Sequence, residues 1–110
     1  MTYVDFSAGN KEYKLRLTTR NIVSLEKALG CNPLAIFGDG ETIPTITTMV
    51  SVLHASLQSL HHGITMNDAY DIFDAYLEDH AMTEFLPVIV EIYKVSGLMR
   101  EAKNEENEKN

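Results

Sequence analysis

The spacing of apolar side chains changes once along the chain, and this change restricts the fold more than any other feature. Between residues 3 and 17, apolar and polar side chains alternate, which is the period of a β-strand with one buried face. From Ile22 onward, apolar side chains recur every three or four positions, which is the period of an amphipathic helix. The chain is therefore predicted to begin as a small sheet and to continue as helices.

The alternating segment divides into two short strands. The segment Ala8-Gly9-Asn10-Lys11 separates them, and a Gly-Asn pair between alternating runs is typical of a β-hairpin. Because an isolated hairpin is barely stable in water, its apolar face is expected to pack on helices. The side chains predicted to face inward are Val4, Phe6, Tyr13, Leu15 and Leu17.

Four helices are predicted after the hairpin from capping residues, apolar stripes and stop signals. Thr65 and Asp68 match a capping box, and Pro87 is tolerated because it lies in a first turn. A turn or short helical piece is predicted over residues 32–37, and an exposed loop over residues 38–41. The predicted helices cover residues 18–29, 44–62, 65–80 and 83–96.

The second and fourth helices differ in their predicted burial. The second is expected to bury one face, because its apolar residues recur on one side. The fourth is apolar almost all round, so it is either central to the core or partly buried by a partner. The stripe of the second helix consists of Ile46, Met49, Val50, Leu53, Leu57 and Leu60.

Together these elements predict an α+β fold that is mostly α, with an N-terminal β-hairpin packed on a bundle of about four helices. Residues 1–99 are predicted to form a single domain, because a chain of 110 residues rarely holds two cores. Residues 100–110 are predicted to form a disordered acidic tail, because Ala102 is the only apolar side chain among them.

The charge of the chain is unevenly distributed, with a net charge of −7. Residues 1–27 carry five basic and three acidic side chains, whereas residues 28–99 carry Lys94 against nine acids. This excess of acid argues against binding to nucleic acid. The basic front and the acidic body are either separate solvated faces or surfaces that attract each other in a homo-oligomer. No apolar run approaches the roughly 18 residues of a membrane span, and the single cysteine, Cys31, favours a reducing cytosol.

The polar residues form no recognisable catalytic motif. His54 and His61 are seven positions apart, whereas helical metal ligands are normally three or four apart. Asp71, Asp74 and Glu78 share a helix face opposite the apolar stripe, which is interpreted as a solvated face or as a docking surface for a basic segment. The chain is therefore predicted not to be an enzyme and to use no metal or cofactor. A small metal-dependent enzyme using these histidines or aspartates is the alternative.

Several core, cap and turn segments form a series from the hairpin to Gly97. They are residues 15–20 (LRLTTR), 25–30 (LEKALG), 32–34 (NPL) and 52–58 (VLHASLQ), the acidic helix from 68 to 77, and residues 90–93 (VEIY) before Ser96-Gly97. This series resembles the tail assembly chaperone family of long-tailed bacteriophages, the siphoviruses and prophages of Gram-positive hosts.

The resemblance implies a function in the cytoplasm of the infected host cell. Proteins of this family bind the tape measure protein, keep it soluble, help recruit tail tube subunits during tail morphogenesis, and are absent from the mature virion. Many have a longer form made by ribosomal frameshifting, and Glu108-Lys109-Asn110 could be encoded by GAA AAA AAC, which contains a slippery heptamer. The alternatives are a structural minor tail or neck protein retained in the virion, and a regulatory binding protein unrelated to phage.

The predicted client surface is formed by the second to fourth helices. Holding an apolar client requires apolar burial together with charge complementarity, and methionine supplies an adaptable apolar surface. The candidate partner-binding residues are Asp71, Asp74, Glu78, Phe85, Leu86, Val90, Tyr93 and Met99.

Overall fold

The computed structural model describes residues 2–38, 40 and 42–100 of the chain. An antiparallel hairpin is followed by four α-helices and two short 3-10 helices, which confirms the predicted α+β fold. The elements are β1 (Val4–Ala8), β2 (Lys11–Leu15), α1 (Thr19–Leu29), a 3-10 helix (Pro33–Phe37), α2 (Ile46–Leu57), α3 (Met66–Leu77), a 3-10 turn (Met82–Glu84) and α4 (Phe85–Val95).

The hairpin has the predicted strands and turn. Ala8 pairs with Lys11 at the turn, and Val4 pairs with Leu15 at the open end. Gly9 has a φ of 63°, which suits a two-residue hairpin turn and which side chains other than glycine adopt rarely. The buried or half-buried apolar side chains of residues 4–17 are Val4, Phe6, Ala8, Tyr13, Leu15 and Leu17, which include all five predicted inward residues.

An aromatic cluster joins the hairpin to the helices. The cluster consists of Phe6 from β1, Phe73 and Tyr76 from α3, and Phe85 from α4. Each ring lies 5.0 to 5.9 Å, centroid to centroid, from at least two of the others. The rings are tilted or edge to face, which are arrangements that aromatic quadrupoles favour. Burial of these rings stabilises the contact between the small sheet and α3 and α4.

The α2 helix is the centre of the helical layer, and its burial extends beyond the predicted face, which is buried at Met49, Val50, Leu53 and Leu57. The hairpin strand β2 and the helices α1, α3 and α4 all pack around α2, so its sides are covered as well as its apolar stripe. Ile46, which was predicted to be buried, lies in the first turn and is exposed. The buried residues of α2 are Met49, Val50, Ser51, Val52, Leu53, Ala55, Ser56 and Leu57.

The predicted end of α2 near residue 62 is also wrong, because the helix ends at Leu57. Polar groups at the end of the helix form hydrogen bonds with other segments of the chain. The Ser56 carbonyl accepts a hydrogen bond from the Arg16 N–H at 3.0 Å. The Gln58 side-chain amide donates to the carbonyls of His54 and Ile64 at 3.0 and 2.8 Å. Beyond Leu57 the chain continues as a hydrogen-bonded turn, in which the His61 N–H donates to the Leu57 carbonyl at 2.8 Å.

The α4 helix contributes one face to the core and leaves another partly open. Pro87 lies in its first turn, as predicted. The buried residues are Phe85, Ile89, Ile92 and Tyr93, whereas Leu86, Val88 and Val90 are half-buried.

Two sequence predictions fall partly or wholly on residues that the structure does not describe. In the predicted loop over residues 38–41, Gly38 and Gly40 are exposed, and Asp39 and Glu41 lie outside the described residues. Of the predicted tail over residues 100–110, only Arg100 is described. Among the described residues, no helix has the length and apolar character that a membrane span requires.

Candidate partner-binding surface

A groove of about 600 Å³ lies between the hairpin turn and α3. Its floor is apolar, because its least exposed lining residues come from the core side of the hairpin and of α3. Its rim is polar, with a lysine on the hairpin side and two aspartates on the helix side. The lining consists of buried or half-buried Ala8, Tyr13, Ile64, Ile72 and Ala75 and exposed Gly9, Asn10, Lys11, Asp68 and Asp71.

The turn of the hairpin is close to α3 at one end of this groove. A β-carbon placed on Gly9 would lie 3.5 Å from the β-carbon of Ala75, which is ordinary van der Waals contact. The positive φ of Gly9, and not a lack of space, therefore explains the glycine at this position. The shape of the groove therefore depends on the turn at Gly9, whose backbone conformation is unfavourable for residues other than glycine.

A capping box fixes the start of α3 and the first carboxylate of the rim. The Asp68 N–H donates to the Thr65 hydroxyl at 3.0 Å, and the Thr65 N–H donates to the Asp68 carboxylate at 2.9 Å. The bond from the Thr65 backbone lowers the pKa of Asp68 below its ordinary value, because it stabilises the ionised carboxylate. The predicted capping box is confirmed, and it places a negative charge beside the groove.

A row of carboxylates continues from the groove along the exposed face of α3. Asp71 lines the groove, and Asp74 and Glu78 follow at spacings of three and four residues, so the three share one side of the helix. All three are exposed, as predicted. Within the described part of the chain, none of them is in a salt bridge, whereas Asp5 pairs with Lys14 at 3.3 Å.

The apolar candidates on α4 divide into two groups. Leu86, Val90 and Met99 are half-buried and present part of their surface to solvent. Phe85 and Tyr93 are both 0% exposed. Neither can contact a partner in this conformation, so their assignment to the partner surface is corrected to the core. The reason is that Phe85 joins the aromatic cluster, and the Tyr93 hydroxyl donates to the Pro33 carbonyl at 3.0 Å.

A second groove, of about 330 Å³, lies between α1 and α2 and was not predicted from the sequence. Small side chains four residues apart line it from both helices: Ser24 and Ala28 from α1, and Ser51 and Ala55 from α2. This repeated spacing is the sequence signal that indicates it, because small residues on facing helices leave space between them. Half-buried His54 also lines this groove.

The side chains of His61 and His80 make hydrogen bonds and ring contacts within the fold. Nε2 of His61 accepts a hydrogen bond from the Lys14 N–H at 2.9 Å, and its ring lies edge to face with Tyr13. His80 stacks on Tyr76 with ring centroids 4.3 Å apart. In the described part of the chain, no three histidine, cysteine, aspartate or glutamate side chains lie close enough together to hold a metal ion.

The comparisons with known proteins identify a family. A family model described as "Family of unknown function (DUF6096)" matches residues 3–110, which include the hairpin, both grooves and all four helices. No curated protein and no solved structure matches the chain.

Proposed function

The chain belongs to the DUF6096 family, and we propose that it acts as a tail assembly chaperone of a long-tailed bacteriophage. In this proposal it binds the tape measure protein in the host cell cytoplasm, keeps that protein soluble and helps recruit tail tube subunits during tail morphogenesis. A longer, frameshifted form would contact the tail tube protein. The chaperone performs no catalysis and is absent from the mature virion.

The observation that carries the proposal is the groove between the hairpin turn and α3, together with the carboxylates beside it. A chaperone for long apolar helices must shield apolar side chains without a covalent step. The groove offers an apolar floor formed by Ile64, Ile72 and Ala75, and Asp68 and Asp71 lie at its rim. An amphipathic client helix that places its apolar side in such a groove is a recurrent mode of recognition.

The charge of α3 indicates which client helices fit best. Asp71, Asp74 and Glu78 are exposed and, among the described residues, have no salt-bridge partner. A client segment with lysine or arginine beside its apolar stripe would meet these carboxylates while its apolar side chains enter the groove. Weak binding at one such segment is sufficient, because several chaperones on one long client act together through repeated contacts.

The resemblance of the sequence supports the same function. Its segments lie in structural positions that such a protein needs to keep its shape: residues 15–20 connect β2 to α1, residues 25–30 end α1, and residues 52–58 cover the end of central α2. These residues maintain the scaffold that presents the α3 groove. They are not themselves the proposed client contacts.

The proposal is tested by co-expressing the chain with the tape measure protein of the same phage and measuring how much of the latter stays soluble. The double variant Asp71→Lys/Asp74→Lys is expected to lower the soluble fraction several-fold, because it reverses two charges beside the groove. The matched control is Glu12→Lys/Glu26→Lys, which makes the same change in net charge at exposed positions of β2 and α1.

Three results would contradict the proposal. The first is a tape measure protein that stays equally insoluble with and without the wild-type chain. The second is an equal effect of the two double variants, because net charge alone would then explain it. The third is the chain itself in purified virions, detected by mass spectrometry, which would favour a structural minor tail or neck protein.

A further inference from the structure

The two strands of the hairpin differ in what their outer edges contact. On β2, the Lys14 N–H donates to Nε2 of His61 at 2.9 Å, and the Arg16 N–H just beyond the strand donates to the Ser56 carbonyl at 3.0 Å. The Arg16 carbonyl accepts from the Ser59 hydroxyl at 3.2 Å. The outer edge of β2 is therefore largely occupied by α2 and by the segment that follows it.

The same bonds fix which backbone groups of β1 point outward. Because the Lys14 N–H points away from β1, the Asp5–Lys14 pair is a non-hydrogen-bonded pair of the antiparallel ladder. The Ser7–Glu12 pair is two positions further along and is of the same kind. The N–H and C=O groups of Asp5 and Ser7 therefore point toward the outer edge of β1.

This outer edge of β1 is open. Asp5 and Ser7 are exposed, and none of their backbone N–H and C=O groups has a hydrogen-bond partner among residues 2–38, 40 and 42–100. A strand edge with unpaired donors and acceptors is a template for pairing with another strand. The hairpin thus has one protected edge and one that can accept a strand.

We propose that β1 of a second copy of this chain pairs with this edge, antiparallel and about a two-fold axis. An added strand must place apolar side chains toward the helices and polar side chains toward solvent, because it continues the alternation of the sheet. The β1 strand has this alternation: Phe6 and Ala8 are buried, and Asp5 and Ser7 are exposed. The same surface of both copies then forms the interface, as in most homodimers.

Charge disfavours one register of the two strands. A register that places Asp5 opposite Asp5 of the second copy brings two carboxylates together, which destabilises a sheet. A register centred on Phe6 places Asp5 opposite Ser7 of the second copy, so that a hydroxyl donor faces a carboxylate. In this register the outward N–H and C=O groups of each Asp5–Ser7 pair bond to each other.

The dependence of dimerisation on salt concentration distinguishes this dimer from one formed by the basic front of one copy and the acidic body of another. Each copy carries a net charge of −7, so two copies repel each other and screening by salt strengthens the β1 pairing. Attraction between oppositely charged faces has the reverse dependence, because salt weakens it.

The test uses two variants, each with a proline at one residue of the Ser7–Glu12 cross-strand pair. Ser7→Pro removes an outward N–H from β1, and the matched control Glu12→Pro removes one from β2; proline is tolerated at such edge positions. Dimerisation of the full chain is measured by analytical ultracentrifugation over a wide range of concentrations. We expect Ser7→Pro to raise the dimer Kd about 30-fold, which corresponds to about 2 kcal/mol for two main-chain hydrogen bonds. Glu12→Pro should change the Kd by less than about threefold.

A second measurement uses the unmodified chain, so it does not depend on the folding of a variant. Amide hydrogen exchange is followed at low and at high protein concentration. The amides of Asp5 and Ser7 are expected to exchange more slowly at high concentration, whereas the Glu12 amide keeps its rate.

Several results would overturn the β1 dimer. One is a chain that remains monomeric at every concentration in high salt. Another is a dimer that both proline variants weaken equally, or one that salt dissociates. Unchanged exchange at Asp5 and Ser7 in a concentrated, dimeric sample would also refute it. None of these results bears on whether the α3 groove binds a client.

Discussion

Replacing Tyr93 with phenylalanine tests whether this side chain belongs to the core and not to the partner surface. Tyr93 is 0% exposed and its hydroxyl donates to the Pro33 carbonyl at 3.0 Å. Its ring lies edge to face with Phe37, at a centroid distance of 5.9 Å. The hydroxyl therefore links α4 to the 3-10 helix that follows α1. Tyr93→Phe keeps the ring and removes only this link.

The cost of Tyr93→Phe follows from the hydrogen bond that it removes. Pro33 is buried, and its carbonyl keeps its bond within the 3-10 helix, so the variant loses one buried hydrogen bond. The net contribution of one such bond is about 0.5–1.5 kcal/mol. The whole stability of such a domain is about 5–15 kcal/mol, so the variant should fold and yet unfold at a clearly lower urea concentration. Thermal unfolding should shift down by roughly 4–8 °C for each kcal/mol lost.

The assay is equilibrium urea unfolding of the variant beside a matched control. Tyr70→Phe removes the same hydroxyl from a tyrosine of α3 that is 46% exposed, and it should change the free energy of unfolding by less than about 0.5 kcal/mol. Co-expression with the tape measure protein should be unaffected by Tyr93→Phe at a temperature where the variant is folded. A variant as stable as wild type, or a control that costs as much, would refute the assignment of Tyr93 to the core.

The pH dependence of stability gives a second readout on the same residue. Burial, with a smaller contribution from Cys31, raises the pKa of the Tyr93 hydroxyl above its ordinary value. In the unfolded chain Tyr93 ionises near pH 10, whereas in the folded chain it stays neutral to higher pH. The stability that it contributes is thus complete below about pH 10 and falls as the pH rises further. The difference in unfolding free energy between wild type and Tyr93→Phe should shrink from about pH 9 to about pH 11.

Two further predictions concern α2 and α3. Thr65→Ala removes the N-cap of α3 and should lower the free energy of unfolding by about 1 kcal/mol. The pKa of Asp68 is lowered mainly by the Thr65 backbone N–H, which alanine keeps. The stability from this bond is present above the ordinary carboxylate pKa and is lost as the pH falls through the folded pKa, so it should decline in acid titrations of wild type and of Thr65→Ala alike. Leu53→Ala, in the centre of α2, should cost about 2–5 kcal/mol, whereas Ile46→Ala, at a 43% exposed position of the same helix, should cost far less. Urea unfolding measures both, and equal costs for Leu53→Ala and Ile46→Ala would contradict the central position of α2.

The start of each of the first three helices could be predicted because its signals act over a few residues. Thr18 caps α1 by accepting from the Asn21 N–H at 3.2 Å, and Thr65 does the same for α3 with Asp68. The stop of α1 is equally local, since Gly30 adopts a φ of 74° there. Such contacts are complete within about four residues, so a sequence pattern can reveal them without any knowledge of the tertiary fold.

The end and the burial of α2 could not be predicted because distant residues determine both. The helix ends early where Arg16, 40 positions before Ser56, donates to its last turn. Ser51 and Ser56 are not part of the predicted apolar stripe of α2, yet both are buried. The Ser56 hydroxyl donates to the Leu53 carbonyl at 3.0 Å, so its burial leaves no polar group unsatisfied.

The candidate surface was predictable in its charges and not in its shape. The helical spacing of Asp71, Asp74 and Glu78 indicated one exposed face, and the structure places all three there. The groove beside them depends on where the hairpin turn meets α3, which no local pattern encodes. The error at Phe85 and Tyr93 has a related cause. An apolar pattern identifies a helix with many hydrophobic side chains, but only the tertiary packing shows which of them are buried.

The way in which the hairpin is attached explains why its exposed surfaces can serve binding without loss of the fold. The backbone N–H groups of Lys14, Arg16 and Leu17 each donate to residues in or after α2 and α4, so the polar attachments are concentrated at β2 and the chain just beyond it. The β1 strand is held on the core through apolar side chains such as Phe6. The proposed client groove uses the turn at Gly9, and the proposed dimer uses the outer edge of β1. A partner at either proposed surface could therefore bind and leave without breaking a hydrogen bond that holds the hairpin.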